Sequence, residues 1–550
     1  MVLLHEVLPW LDPGATAVVL VLTLVVFALV FAVSLILLSA LETTTHRRET
    51  ISVRSFSQQL HHSFFPFFAI IVACWAPWII AHLPGAFDDD TVWQLLIWAH
   101  PEIWSDHHPW FTTLIYGLFM DVGRGLGSGS IGLMLHSVAM TLVTAASFSF
   151  LLCYLKRFSP AKPLFYGCLV AICAVPLFAS YGSSMMKDAS FSWVWIIFCI
   201  TFAECVRTKG AILFDKRWLA CMVVSALLMC LTRKTGIYLV VLSLLVLLFA
   251  VGADTRRRIM AVGATTIVCM MAYSFILLPA FGITPTSSGE MFSLPLQQSA
   301  RLINEYPNEV SDEQRATIDA VADFDTLANK YDIYRADNVK DTWHSSSASD
   351  TFAYLHTWFS MGLRHPDVYA AATFINCNDL FLVGSPIEAK SDTNYEWTHE
   401  LGLFFSTISL PDDGYDKTYE SPNIIASADS ITEGLVEFSA LDGMRQTMNA
   451  YESALNDSVV GVLFSRSSLA LWLPLFIFLF LLMSTTVSSR RSAIAIFPQL
   501  LFALTLLAGP LVLSRYCLPA AYVFPLMAMM PYVLCNRTSS STDEKTALAQ

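Results

Sequence analysis

Residues 63–94 read SFFPFFAIIVACWAPWIIAHLPGAFDDDTVWQ. Roughly twenty apolar residues, enough to cross the ~30 Å hydrocarbon core of a bilayer, run directly into three consecutive carboxylates. The first part predicts a transmembrane helix over about 63–82, and the second a loop at the membrane surface. Comparable apolar windows recur at about 16–40, 130–155, 163–180, 189–206, 259–280, 467–487, 492–512 and 516–535. Another, at about 218–251, is interrupted by TRKTG and predicts two shorter helices. The first window has no basic residues before it and is too long for a cleaved signal. The 550-residue chain is 55% hydrophobic and 14% charged, with a mean hydropathy of +0.57, whereas a soluble domain is about 25% charged. These features specify a polytopic α-helical membrane protein.

Basic residues cluster in HRRETISVR (46–54), KRFSPAK (156–162), VRTKGAILFDKR (206–217), DTRRR (254–258) and SSRR (488–491), which places these segments in the cytoplasm. The N-terminus and the loops at 83–108, 181–188 and 232–235 then lie outside. The one large polar block, 282–465, holds about 28 acidic and 9 basic side chains, so the acidic excess of the chain is concentrated there. An acidic extracytoplasmic domain argues against nucleic acid as a partner, because a phosphate-binding surface needs the opposite sign. Of the 12 cysteines, all but Cys377 sit in or beside apolar segments, which excludes a disulfide framework for the outer domain.

Three apolar stretches, 109–121, 130–155 and 163–180, separate two loops that the charge rule places on the same side. One of them must not cross. The stretch 109–121 is the shortest and runs into Asp121 and VGRGLGSGS, so it predicts a re-entrant or interfacial helix. Six of the 14 tryptophans lie between Trp75 and Trp110, a density expected where indoles meet the membrane surface. TVWQLLIWAH then reads as an interfacial helix ended by Pro101. The acids before it have two readings: a solvated turn with Asp90 as N-cap, or a catalytic carboxylate at headgroup depth. SDHHPW (105–110) follows with Asp106, His107 and His108 ahead of a helix-opening proline; imidazoles there can carry protons, donate to phosphate or bind metal.

The ordered set PGAFDDDTVWQ, DHHPWFTT, MMKDASF (185–191), LTRKTGIY (231–238), LPLQQSARL (294–302) and SRYCLP (514–519) resembles the GT-C superfamily of membrane glycosyltransferases. It is similar in particular to a bacterial multi-spanning group with PG....D...Q and D.HP motifs in the first outer loop. The resemblance covers about 63–535, with the first helix as an addition. It implies a GT-C-like helical bundle, a polyprenyl-phosphate sugar donor and an early-loop aspartate as base. By position in the motif that aspartate is Asp90, with Gln94 one helical turn on; Asp88 and Asp89 depart from the pattern and keep Asp89 and Asp106 open as alternatives.

Transfer to a hydroxyl needs a base, and a carboxylate crowded by two others near headgroups should have a raised pKa. The leaving phosphate needs cations. Lys187, Arg233, Lys234 and Arg515 are candidates, with Tyr516 as a further donor; the alternative for each is a snorkelling membrane anchor. His107, His108, Asp188, Gln298 and Arg301 are candidates for substrate positioning, although docking of the outer domain is the plainer use of Gln297, Gln298 and Arg301. Asp88, Asp90 and Asp106 offer hard oxygens that suit Mg²⁺ or Mn²⁺, but the resemblance implies a reaction with no cofactor and no essential metal. SDEQRATIDAVADF (311–324) predicts a capped helix, and the stretch from Thr351 through Pro366 to Gly384 predicts two helices rather than a span. No nucleotide-binding loop, GxSxG elbow or HExxH occurs where it could act.

The expected organisation is an extra helix and linker (1–62), a transmembrane module with its catalytic loop (63–281), a mainly helical acidic outer domain (282–465) before the last three spans (466–536), and a serine-rich cytoplasmic tail (537–550). The expected activity is sugar transfer to a cell-envelope glycan, lipid or protein at the outer face of a bacterial plasma membrane. A glycolipid transporter or flippase, or an envelope glycan polymerase or ligase, is the competing expectation. Transport would spread charge along a path through the membrane, whereas catalysis would gather it at one level.

Overall fold

A computed structural model describes residues 56–285, 288–345, 347–382, 438–484 and 490–534, with 387 and 435 as single residues. Among these the regular structure is helical, and pairing of extended segments is limited to three isolated bridges. The apolar window 16–40, the stretch 391–434 and the tail 537–550 lie outside the described residues. Two compact units emerge. The larger holds the described residues 56–285, 387–501 and 517–534, and the smaller holds 288–382 and 502–516.

The larger unit begins with α1 (Phe56–Ala81), α2 (Asp89–Ala99), α3 (Trp110–Gly125), α4 (Gly129–Lys156), α5 (Lys162–Ala174), α6 (Pro176–Ser183), α7 (Lys187–Arg207), α8 (Lys216–Thr232), α9 (Gly236–Leu247) and α10 (Ala253–Ala280). Among the described residues four of these, α1, α4, α7 and α10, are long and apolar enough to cross a membrane. The pair α5 and α6 makes a fifth if it is one broken span, bent by 55°. Proline explains the break: Pro176 has no N–H to donate and holds Val175 in an extended conformation. α7 is apolar around its whole circumference and is the innermost of the four, whereas most of α10 remains uncovered.

As its short apolar run predicts, α3 has only 16 residues, and it packs as a hairpin on α4. The TRKTG interruption also forms as expected. α8 stops at Thr232, Arg233 turns extended, and α9 opens at Gly236, where a Cβ would stand 2.2 Å from the Met229 carbonyl oxygen. In α10 the hydrogen-bond ladder widens to π-helix over Tyr273–Leu277, just before Pro279, which cannot donate to Phe275. Past the polar block, the apolar helices Leu469–Met483, Arg491–Leu507 and Leu518–Ala528 are shorter than the spans expected there, the first and last carrying Pro474 and Pro525. The amphipathic helix Asp442–Asn456 belongs to the larger unit, where Asn449 bonds His82 at 3.0 Å and the Tyr451 hydroxyl donates to the Ala174 carbonyl at 2.8 Å.

In the smaller unit, α11 (Ser293–Glu305), α12 (Ala348–Arg364) and α13 (Pro366–Asn376) surround a core that includes Leu296, Ile303, Leu327, Trp343 and Tyr354. The break between α12 and α13 falls at Pro366, and Ser311 with Gln314 forms a capping box on the helix Asp312–Asp319. Cys377 is sealed in this core, its thiol beside the Leu507 carbonyl, and burial pushes its pKa up to about 12.

Candidate functional site

The site is assembled by two short backbone pairings within the larger unit. The PGAFDDD loop meets MMKD through a parallel bridge between Phe87 and Met185, with the Met185 N–H donating to the Ala86 carbonyl at 2.8 Å. Gly85 makes this entry fit: its φ is +143°, and a Cβ there would stand 2.2 Å from the Ser137 hydroxyl oxygen. The other pairing joins Ser105 to Thr284, the residue pair being flanked by Asp106 N–H to Thr284 carbonyl (2.8 Å) and Thr284 N–H to Trp104 carbonyl (2.9 Å). Loops from three distant parts of the chain are thereby pinned where α7 starts and α8 ends.

Three ion pairs result. Lys187, the first residue of α7, lies 2.9 Å from Asp90. Its ammonium also donates to His108 Nδ1 at 3.0 Å. Asp188, 2% exposed, is 3.6 Å from Arg233, whose guanidinium lies over the Phe191 ring. Lys234 is 3.9 Å from Asp106, a looser pair, and the other Asp106 oxygen accepts from the Trp110 N–H at 3.1 Å. Since an ammonium only donates, His108 Nδ1 must accept, which leaves the ring proton on Nε2. That Nε2–H is buried and, among the described residues, has no protein partner. Burial and the neighbouring Lys187 charge hold the His108 pKa well below 6.5, so the ring is neutral. His107 packs edge-on against it, ring centroids 4.7 Å apart.

Beside Asp106 opens a cavity of about 290 Å³. One wall comes from the α8–α9 corner (Cys230, Leu231, Lys234, Ile237) and the other from α10, including its π-helical turn (Ile267, Met270, Met271, Tyr273, Ser274, Phe275). The lining is mostly apolar, with Asp106, Lys234, Tyr273 and Ser274 as its polar side chains. Burial raises the Asp106 pKa, with Lys234 and the Trp110 N–H opposing.

Residues 10–547 match a family model described as a family of unknown function, DUF6020. The chain belongs to DUF6020. No curated protein and no solved structure matches it. What this DUF6020 chain brings together therefore has to be judged from its own side chains.

Several sequence-predicted positions turn out differently. The N-cap of α2 is Asp88, not Asp90: the Asp88 carboxylate accepts from the Thr91 N–H and hydroxyl, while Thr91 also donates to the Met185 carbonyl. Capping draws Asp88 onto the helix end, and Asp90, two residues on, projects to Lys187. The neighbour shown for Asp90 is thus a cation, where crowding by like charge was expected. The Asp89 side chain lies outside the described residues. Gln94 is sealed from solvent and donates to Thr112 and Thr113 at 2.7 and 3.0 Å, tying α2 to α3 rather than facing an opening.

Gln298, Arg301, Arg515 and Tyr516 belong to the smaller unit. There Gln298 donates to Thr373 and accepts from Trp358, both at 2.9 Å, and Arg301 is 2% exposed, held by Glu305 and the Tyr331 hydroxyl. Both cross-brace the fold of that unit. The Arg515 guanidinium lies over the Tyr516 ring, 5.5 Å from its centroid. Among the described residues no three His, Cys, Asp or Glu side chains group to hold a metal ion. Asp88 bonds Thr91, Asp90 pairs with Lys187 and Asp106 pairs with Lys234. Thr91 and Tyr273 were not singled out from sequence; a D-x-x-T spacing before an apolar helix is the capping signal that would have found Thr91.

Proposed function

We propose that the protein transfers a sugar from a polyprenyl-phosphate donor to a hydroxyl acceptor at the extracytoplasmic face of a bacterial plasma membrane, with a GT-C-like mechanism. The observation that carries this reading is the gathering of Asp90, Lys187, His108, Asp188, Arg233, Asp106 and Lys234 into one cluster at the start of α7. Lys187 and Arg233 hold the donor phosphate, and Asp90 and Asp188 keep those cations in place between turnovers. A carboxylate of the first loop takes the acceptor's proton. Arg515, Tyr516, Gln298 and Arg301 stay outside this assignment. The basic segments at the opposite helix ends support the outward orientation of the cluster.

A transporter needs polar groups spaced along a route. Between Asp188 and Glu204, α7 carries no charged residue, a gap of about 24 Å at helical rise, which favours transfer at one level over carriage through the membrane. The test is reconstitution in liposomes with a panel of polyprenyl-phosphate sugars and mixed hydroxyl acceptors, comparing the parent with Lys187→Ala. Removing a preorganised phosphate contact should lower turnover about 10²–10³-fold. Absence of transfer from every donor, or a Lys187→Ala rate within threefold of the parent, would overturn the assignment; glycolipid flipping without transfer in the same vesicles would favour the transporter.

A further inference from the structure

We propose that Asp106, rather than Asp90, is the base, and that the acceptor is itself a membrane amphiphile whose apolar body lies in the cavity beside Asp106. This rests on the transferase reading above and assigns to it an acceptor class and a proton route.

Asp90 lies 2.9 Å from an ammonium and does not line the cavity. Asp106 does line it. One of its oxygens is fixed by the Trp110 N–H, and its backbone is pinned to Thr284, so the carboxylate is held in orientation while the second oxygen keeps only the longer 3.9 Å approach of Lys234. The charged or titratable groups facing it are Lys234 from the α8–α9 corner and Tyr273 from α10. Burial makes it a better proton acceptor near neutral pH than an exposed carboxylate.

The cavity's chemistry selects the acceptor. A polar glycan would leave its hydroxyls unpaired against Leu231, Ile237, Met270 and Phe275. A second phosphate would sit against the Asp106 carboxylate. A hydroxyl at the polar end and a hydrocarbon body along the walls satisfy both constraints. The α10 wall belongs to a helix long and apolar enough to cross a membrane, and its Met271 and Phe275 are exposed, so the opening faces the region that lipid occupies. A π-helical turn at such a wall is itself a recurrent feature of functional sites.

In the step, the hydroxyl proton passes to Asp106 as the acceptor oxygen bonds the anomeric carbon. The bond from that carbon to the donor phosphate oxygen breaks, its electron pair leaves with polyprenyl phosphate, and Asp106 later returns the proton to water.

The experiment uses the full chain in nanodiscs with a photoreactive dodecyl glycoside and its methyl counterpart. Labelling by the dodecyl probe should map to 231–237 and 267–275, fall at least tenfold in Ile237→Trp, and be absent with the methyl probe. Met271→Trp, on the lipid-facing wall, gives a second test should Ile237→Trp fail to fold. Asp106→Asn should retain labelling but lose at least 100-fold in transfer, with Asp106→Glu recovering part of it and Asp90→Asn weakening donor binding instead. Labelling elsewhere, labelling indifferent to both tryptophans, or an Asp106→Asn rate within threefold of the parent overturns the inference. Cavity labelling without transfer from any polyprenyl-phosphate sugar would instead remove the transferase reading and the role of Asp106 as base, leaving only an amphiphile site.

Discussion

α7 carries buried charge at both ends, and the two ends are built differently. At its C-terminal end the Glu204 carboxylate, 1% exposed, accepts from Arg207 at 2.7 and 2.8 Å, from Arg157 at 3.2 Å and from the Tyr154 hydroxyl at 2.9 Å. Both oxygens are fully engaged, and aromatic rings of Phe56 and Phe158 pack against the Arg157 guanidinium. At the N-terminal end Lys187 pairs with Asp90 at 2.9 Å, Arg233 with Asp188 at 3.6 Å and Lys234 with Asp106 at 3.9 Å. Among the described residues His108 keeps a buried N–H with no protein partner, and a mostly apolar cavity opens beside the loosest pair. Dense multiple bonding is what a fold uses to lock helices together, whereas a polar cluster beside an open apolar cavity has room for a further group. The difference marks the C-terminal end as a structural lock and the N-terminal end as the side of the proposed site.

The sharpest way to break that contrast is Glu204→Gln. It keeps the side-chain volume but leaves two guanidiniums next to each other without a counter-charge, and removing one member of a buried ionic network costs about 3–5 kcal/mol. The variant should show a large drop in unfolding midpoint in detergent. Replacing the trio by apolar residues (Glu204→Leu, Arg157→Met, Arg207→Met) should recover most of it. A loss below about 1 kcal/mol would mean that the inner cluster is not the structural lock described here.

At the other end the expected loss is smaller and local. Gly85→Ala introduces a Cβ 2.2 Å from the Ser137 hydroxyl oxygen at a φ that L residues rarely adopt, a strain of about 1–3 kcal/mol. It should shift the PGAFDDD loop away from MMKD, weakening binding of the proposed polyprenyl-phosphate donor more than it lowers the unfolding midpoint. Adding Ser137→Ala relieves the clash but not the φ, so only part should return. If Gly85→Ala bound polyprenyl phosphate as the parent does, the loop pairing would not be what places Asp90 beside Lys187.

This asymmetry was only partly legible in the sequence. Apolar length located α1, α4, α7 and α10, because a bilayer-spanning requirement leaves a direct compositional trace. The TRKTG break and the short α3 were legible for the same reason, as was Pro366. The DDD run was not resolvable, since three identical side chains differ only in backbone geometry. Asp88 caps because its own φ and ψ are extended, and nothing in composition distinguishes it from Asp90. Glu204 was hidden more completely. KRFSPAK and VRTKG read as inner-face anchors, and the carboxylate that binds Arg157 sits 47 residues away within an apolar window. Gln94, Gln298 and Arg301 show the converse: from the motif they are candidates for substrate positioning, with docking the plainer use of Gln298 and Arg301, and in the fold Gln94 bonds Thr112 and Thr113, Gln298 bonds Thr373 and Trp358, and Arg301 bonds Glu305 and Tyr331. Cavity formation at Asp106 depends on the crossing of α10 and the α8–α9 corner, a tertiary property with no linear signature.

The smallest expected effect tests the neutrality of His108 directly. Its folded-state pKa lies well below the ordinary 6.5, because burial, Lys187, His107 and Lys234 all oppose the charged ring and Asp90 alone among these favours it. As pH falls through 6.5 the unfolded chain takes up a proton that the folded ring refuses, so the unfolded state binds more protons and stability decreases with falling pH. From pH 7.5 to 5.5 that loss is on the order of 1 kcal/mol. His108→Asn removes it. Asp106, whose folded pKa is raised by burial, contributes with the opposite sign, favouring the folded state as pH falls, and Asp106 is common to parent and variant. The difference between parent and His108→Asn therefore isolates the ring: the parent should lose on the order of 1 kcal/mol more than the variant over this interval in urea unfolding. Equal slopes would mean that the folded ring takes up its proton over the same range as the unfolded chain; the charged Nδ1 could then not accept from Lys187, and the Asp90–Lys187–His108 chain would have to be rebuilt with the imidazolium as a second cation.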